Sequence, residues 1–149
     1  MKTLSKILST CFGIGFFPIA PGTATSLVVV LLYKFFLYSL PWPLYIVLLI
    51  CLFFLGALAS TNYSASLKMK DPRRITIDEV VGQLLPMFLL PPTWVNLAIA
   101  FVLFRIFDIL KPFPIKRTEA FPVGWGIMLD DIVAGLYTGI LLNFFLLMR

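Results

Sequence analysis

Five long apolar runs separated by short loops limit the folds open to this chain of 149 residues. Hydrophobic residues make up 60% of the chain and charged residues 13%. A typical soluble domain has about 45–50% apolar residues and about 25% charged residues. A membrane-spanning helix needs about 20 apolar residues. The sequence therefore predicts an all-α, polytopic integral membrane bundle that forms one domain over residues 1–149. The predicted segments are residues 23–40, 44–67, 76–90, 94–110 and 128–148.

Two parts of the chain depart from a simple set of spans. Residues 76–90 number only about 15, which is short for a full span and leaves a re-entrant segment as the alternative. Residues 3–12 are predicted to form an amphipathic helix, before glycines and prolines that interrupt helices. Thr23 or Thr25 is the expected N-cap of the first span. We expect the N-terminus to be retained, because the apolar stretch between Lys6 and the candidate cleavage site LSTC (8–11) is too short for a signal peptide.

The basic residues predict the orientation of the bundle. Lys2, Lys6 and the loops 68–74 and 111–117 are basic, and basic loops remain on the cytoplasmic side. The net charge of +5 is therefore explained by membrane topology, and no nucleic-acid partner is predicted. The patterns leave the oligomeric state open.

Five of the seven acidic residues lie within the apolar runs or at their ends. A carboxylate is costly to remove from water, so such residues are candidates for a functional site. In the predicted topology all five lie at the cytoplasmic side of segments three, four and five. The set consists of Asp78, Glu79, Asp108, Asp130 and Asp131.

Clustered carboxylates at the level of lipid headgroups favour a magnesium site, because Mg²⁺ prefers oxygen ligands and substrate phosphates. Arg105, Asp108 and Lys111 are spaced by three residues and share one helical face, which suits a phosphate held against a metal. The segment PGTATS (21–26) leads into a helix and is a candidate anion site. The predicted metal ligands are Asp78, Glu79, Asp130 and Asp131.

The missing residue types narrow the chemistry. The chain has no histidine, which excludes phosphohistidine chemistry and a Ser-His-Asp triad. Cys11 and Cys51 lie in separate apolar runs, which excludes a disulfide framework and a Cys/His zinc site. Metal-assisted hydrolysis and an aspartyl nucleophile remain for phosphate chemistry.

Several alternatives require different patterns. Helix dipoles would explain acids at helix N-termini, but not Asp108 at a C-terminus. A cation or proton transporter would need acids distributed across the membrane depth. A lipid phosphotransferase would need several acids along one pair of helices, and a structural subunit would not need paired acids.

Four stretches resemble the bacterial phosphatidylglycerophosphatase A family: GFFPIAPGTATS, IDEVVGQ, FRIFDILKPFPI and GIMLDDIVAGLY. The resemblance implies a magnesium-dependent phosphatase of the bacterial inner membrane. The predicted topology makes it multi-pass, with its active site facing the cytoplasm. The implied substrate is phosphatidylglycerol phosphate, and the products are phosphatidylglycerol and inorganic phosphate. Either water activated by the metal or a carboxylate would attack phosphorus.

The matching motifs also imply residue roles. Our own mechanistic hypothesis makes Asp108 a base or a further metal ligand. Thr25 stands where the family commonly has glycine, and Arg73 and Arg74 occupy a region where its histidines often lie. The implied catalytic residues are Asp78, Glu79, Asp108, Asp130 and Asp131, and the implied substrate-binding residues are Thr23, Ser26, Arg105 and Lys111.

Overall fold

The computed structural model describes residues 2–70, 72–118 and 120–147. Within them every regular element is helical, which confirms the predicted all-α class. The helices are α1 (Lys2–Ser9), α2 (Pro21–Leu32), α3 (Trp42–Leu67), α4 (Ile77–Leu84), α5 (Trp94–Leu110), α6 (Ile115–Thr118) and α7 (Val123–Leu147). Shorter turns are the 3-10 helices Cys11–Phe16 and Leu85–Met87 and the π-helical turn Tyr33–Leu37, which continues α2.

Two helices of the described residues are long and apolar enough to cross a membrane, namely α3 and residues Val123–Leu146 of α7. The prediction of five full spans is therefore not confirmed. Helix α5 has the predicted bounds, but its 17 residues extend only about 25 Å, less than the ~30 Å of a bilayer core. Helix α2 with its π turn is also short. Helix α7 starts at Val123 instead of residue 128, and Met148 lies outside the described residues.

The predicted segment 76–90 does not form one continuous helix. Helix α4 ends at Leu84, and a 3-10 turn that contains a proline follows it. The Tyr45 hydroxyl donates to the Leu84 carbonyl at 2.8 Å, and the Tyr33 hydroxyl donates to the Leu90 carbonyl at 2.7 Å. Side chains of neighbouring elements thus satisfy backbone groups that a continuous helix would have paired.

Helix α2 begins at Pro21 rather than after a cap at Thr23 or Thr25, so the predicted N-cap is wrong. Proline is favoured at the first helical position because its missing N–H has no partner there in any case. Thr25 and Ser26 consequently lie within the helix and are buried. The start of α2 contacts the region of α4.

Helix α1 is amphipathic, but its apolar face points outward. Ser5 and Ser9 are buried, whereas Leu4 and Ile7 are exposed. The helix packs against α3. An apolar outer face is the reverse of what a surface helix of a soluble protein shows.

Candidate active site

A polar cavity of about 600 Å³ lies where the first turns of α2 and α4 meet the end of α5 and the first half of α7. Segments that precede α2 and α4 complete its wall. The structure therefore brings residues together from distant parts of the chain. The lining includes all five predicted acids and two predicted cations: Asp78, Glu79, Arg105, Asp108, Lys111, Asp130 and Asp131.

Direct backbone contact between α4 and α7 places their acids side by side. A Cβ atom on Gly82 would lie 2.8 Å from the carbonyl oxygen of Asp131, and one on Gly135 would lie 2.5 Å from the carbonyl oxygen of Gly82. Small residues permit this close approach of two helices. Asp78 precedes Gly82 by one helical turn, and Asp131 precedes Gly135 by one turn. The two carboxylates are therefore held at the same level.

Asp78, Glu79 and Asp131 form an acidic cluster that fits a divalent cation. One carboxylate oxygen of each lies within 4.8 Å of the others. Asp78 Oδ1, Glu79 Oε2 and Asp131 Oδ2 are buried and have no hydrogen-bond partner among the described residues. Buried oxygens normally have a partner, and a hard cation such as Mg²⁺ would satisfy all three.

The acids of α4 lie outside both candidate spans and are electrostatically perturbed. Burial, followed by the charge of Glu79, raises the pKa of Asp78 well above its usual range. Burial and the nearby charge of Asp131 raise the pKa of Glu79 to about 8. The ionised forms of these carboxyl groups are thus unfavourable in the protein alone, and a bound cation would stabilise them.

Arg105 connects this cluster to Asp108. Its Nη1 atom lies 2.8 Å from Asp108 Oδ2 and 3.9 Å from Glu79 Oε1. Arg105 and Asp108 are three residues apart on one face of α5, as the sequence predicts. Arg105 Nε is buried and has no acceptor among the described residues, so it can donate to an anion in the cavity.

Asp130 accepts hydrogen bonds from a lysine side chain and from the backbone. Lys111 Nζ donates to Asp130 Oδ2 at 2.5 Å, and the Asp131 backbone N–H donates to Asp130 Oδ1 at 3.0 Å. The grouped carboxylates do not include Asp130. Its role as a metal ligand therefore stays a prediction from the sequence, while the structure places it in an ion pair.

Two predicted substrate-binding residues do not line the polar cavity. Thr23 lines a neighbouring apolar cavity of about 410 Å³, to which Arg105 also contributes. Ser26 is fully buried within α2. Both turn away because α2 starts at Pro21, and Pro21 and Gly22 line the cavity in their place.

Sequence reasoning missed Arg73 and Arg74, which line the same cavity. It assigned them to membrane topology as part of the basic loop 68–74. The sequence did contain a signal, because both arginines come shortly before α4, whose first turn contains Asp78 and Glu79. The segment that leads into a helix lies next to its first turn.

Comparisons with known proteins identify the family. A profile of the family described as Phosphatidylglycerophosphatase A matches residues 7–146. A protein of Bacteroides thetaiotaomicron, named provisionally as a phosphatidylinositol-3-phosphatase, is 37% identical over 93% of this chain and 91% of its own. Proteins named Phosphatidylglycerophosphatase A from Haemophilus influenzae and Escherichia coli are 36% and 34% identical, over 88% and 93% of this chain and 82% and 81% of their own. No solved structure matches significantly.

A helical fold with a cavity of clustered acids and flanking cations, together with these relatives, defines a lipid phosphatase. The chain belongs to the phosphatidylglycerophosphatase A family. The predicted family and enzyme class are thereby confirmed.

Gly22 provides a test of the position of Glu79. A Cβ atom there would overlap Glu79 Oε1 and would lie 3.3 Å from Arg105 Nη1. We expect Gly22→Ala to lower phosphate release by about 10–100-fold, because the Glu79 carboxylate must move away from the cluster. The melting temperature should change little, since the end of a flexible side chain can yield.

Gly139→Ala is the matched control. Its Cβ would meet Pro86 at 3.6 Å, an ordinary contact distance, so activity should be retained. Equal activities of the two variants would contradict a functional role for the Glu79 position.

Proposed function

We propose that this chain is a magnesium-dependent phosphatase that hydrolyses phosphatidylglycerol phosphate to phosphatidylglycerol and inorganic phosphate at the cytoplasmic leaflet of the bacterial inner membrane. The observation that carries the proposal is the group of three carboxylates, Asp78, Glu79 and Asp131, beside Arg105. Each has an oxygen without a hydrogen-bond partner among the described residues. Magnesium is commonly held by a few carboxylates together with substrate phosphate.

The three carboxylates would hold the metal ion, and Arg105 would bind the phosphoryl group through Nε. When bound, Mg²⁺ would withdraw charge from the phosphoryl oxygens and make water a better nucleophile. Asp108 keeps the Arg105 guanidinium in place through the contact of 2.8 Å. Positioned cations stabilise the charge of a phosphoryl transition state.

Lys111 and Asp130 form a second ion pair that lines the same cavity. The Lys111 ammonium stays at the cavity because Asp130 anchors it, and it would attract the phosphate. Hydrolysis breaks the bond between phosphorus and the headgroup oxygen, and an oxygen from water replaces it. The departing oxygen takes a proton and becomes the hydroxyl of phosphatidylglycerol.

The molecular surface supports a lipid substrate and a membrane location. Two helices have the length and composition of spans, and α1 exposes its apolar face. An apolar cavity of about 410 Å³ shares Arg105 with the polar one, so the phosphate site adjoins an apolar surface. The basic loops 68–74 and 111–117 adjoin the same end of the bundle, which favours the cytoplasmic side.

The transporter hypothesis has less support. It requires acids along a path through the protein, whereas the five acids of the apolar segments line one cavity at one end.

A second lipid should be compared directly as a substrate, because one relative is named for phosphatidylinositol 3-phosphate. Both lipids carry a phosphate monoester on a polar headgroup.

The test is phosphate release by purified protein in detergent micelles. Phosphatidylglycerol phosphate and phosphatidylinositol 3-phosphate are compared, each with Mg²⁺ and with a chelator. We expect Mg²⁺-dependent release with a preference for phosphatidylglycerol phosphate, and release that persists in chelator would contradict the metal role. Phosphate trapped on an aspartate after rapid quenching would indicate attack by a carboxylate, and its absence attack by water.

A further inference from the structure

Two arginines at the rim of the cavity take no part in the steps above. Arg73 and Arg74 are exposed and line the same cavity as the acids and Arg105. Neither forms an ion pair with a carboxylate of the described residues. Arg105 and Lys111, in contrast, are engaged with Asp108 and Asp130. The rim therefore carries positive charge that the cavity acids do not neutralise.

The arginine segment is held in place by the N-terminal part of the chain. The Thr76 backbone N–H donates to the Ser9 carbonyl at 2.8 Å. The guanidinium carbon of Arg74 lies 5.3 Å from the centroid of the Phe16 ring, within the range of a cation–π contact. These contacts keep Arg74 at the cavity although its side chain is exposed.

We propose that Arg73 and Arg74 form a second anion subsite that binds the phosphodiester of the lipid headgroup. This assignment rests on the proposed function, because the proposed substrate carries a phosphodiester as well as the terminal phosphate. The cavity of about 600 Å³ is larger than one phosphate requires and extends from the acidic cluster to the rim. A terminal phosphate at Arg105 would leave room in the cavity for the rest of the headgroup to reach Arg73 and Arg74.

Arginine suits this role better than lysine does. Its planar guanidinium binds two phosphate oxygens at once, and hydrogen bonds between charged groups are stronger than neutral ones. The subsite would distinguish lipids with both a phosphodiester and a phosphomonoester from lipids with only a monoester. Phosphatidic acid is such a simpler lipid, because its single phosphate is the monoester.

The experiment compares Arg73→Gln/Arg74→Gln with the wild type on phosphatidylglycerol phosphate and on phosphatidic acid. We expect kcat/KM for phosphatidylglycerol phosphate to fall by about 10–100-fold, mainly through KM, and kcat/KM for phosphatidic acid to change less than about threefold. Lys68→Gln/Lys70→Gln is the matched control. It removes the same charge from the same basic loop, at exposed residues that do not line the cavity.

Three results would overturn the subsite while leaving the phosphatase intact. The first is an unchanged preference between the two lipids, whether or not both activities fall. The second is a loss of selectivity equal to that of the lysine control, which would indicate general attraction of anionic lipid. The third is a fall in kcat/KM for phosphatidic acid that exceeds the fall for phosphatidylglycerol phosphate. A wild-type protein inactive on every lipid phosphate would overturn the proposed function, and the subsite with it. Unchanged melting temperatures would show that both double variants fold.

Discussion

Asp131→Asn is expected to reduce Mg²⁺-dependent phosphate release by about 10³-fold or more, as loss of a central metal ligand should. Asp131 is 2% exposed, and its Oδ2 atom has no hydrogen-bond partner among the described residues. The substitution preserves shape while removing the charge that would bind the cation. The melting temperature of the metal-free protein should not fall, because the change also removes repulsion from the carboxylates of Asp78 and Glu79. Phosphate release and titration with Mn²⁺ as a metal probe measure the effect.

Asp130→Asn is the informative comparison, since it changes the neighbouring carboxylate in the same way. Asp130 is paired with Lys111, so we expect a loss of about tenfold and nearly unchanged Mn²⁺ affinity. An equal loss of Mn²⁺ affinity in both variants would instead support the four-ligand set that the sequence predicts.

Arg105→Gln is expected to lower kcat by about 10²–10³-fold, the range found when one donor that stabilises a transition state is removed. Among the described residues, Arg105 is the cation that lies within ion-pair distance of the acidic cluster, at 3.9 Å from Glu79, and it also contacts Asp108. Arg105→Lys should recover only part of the activity, because a lysine keeps the charge but cannot bind phosphate through a planar fork. Steady-state kinetics on the lipid substrate measure both variants.

Lys34→Gln is a control for the loss of a half-buried cation. Lys34 donates to the Pro92 carbonyl at 2.7 Å and lies over the Trp94 ring, away from the residues that line the polar cavity. We expect it to lower the melting temperature but to retain kcat. If Arg105→Gln behaved in the same way, its role would be structural rather than catalytic.

The acidic cluster illustrates how much of the site was predictable. Carboxylates in apolar segments are costly, so their presence alone indicated a site. The basic loops then placed Asp78, Asp108 and Asp131 at one end of the bundle, and the cavity contains all three. It was not predictable that Asp130 would pair with Lys111 while Asp131 joins the acidic cluster. Adjacent residues on a helix point in different directions, and only the packing defines what each of them contacts.

The helix lengths show a second limit of prediction from the sequence. Apolar composition predicted five segments, because each run had the character of a span. Composition does not reveal that a proline-containing turn ends α4 near Leu84, or that tyrosine hydroxyls of neighbouring elements satisfy the carbonyls there. Those hydrogen bonds join residues 39 and 57 positions apart.

The sequence by itself determined the helical class, the family and the acidic character of the site, because these depend on residue types and on spacing within single segments. Only the tertiary structure decided which carboxylates converge, that Thr23 and Ser26 turn away from the cavity, and that Arg73 and Arg74 join its rim. The physical reason is that these properties depend on contacts between elements. The close approach of α4 and α7 at Gly82 and the start of α2 at Pro21 define those contacts.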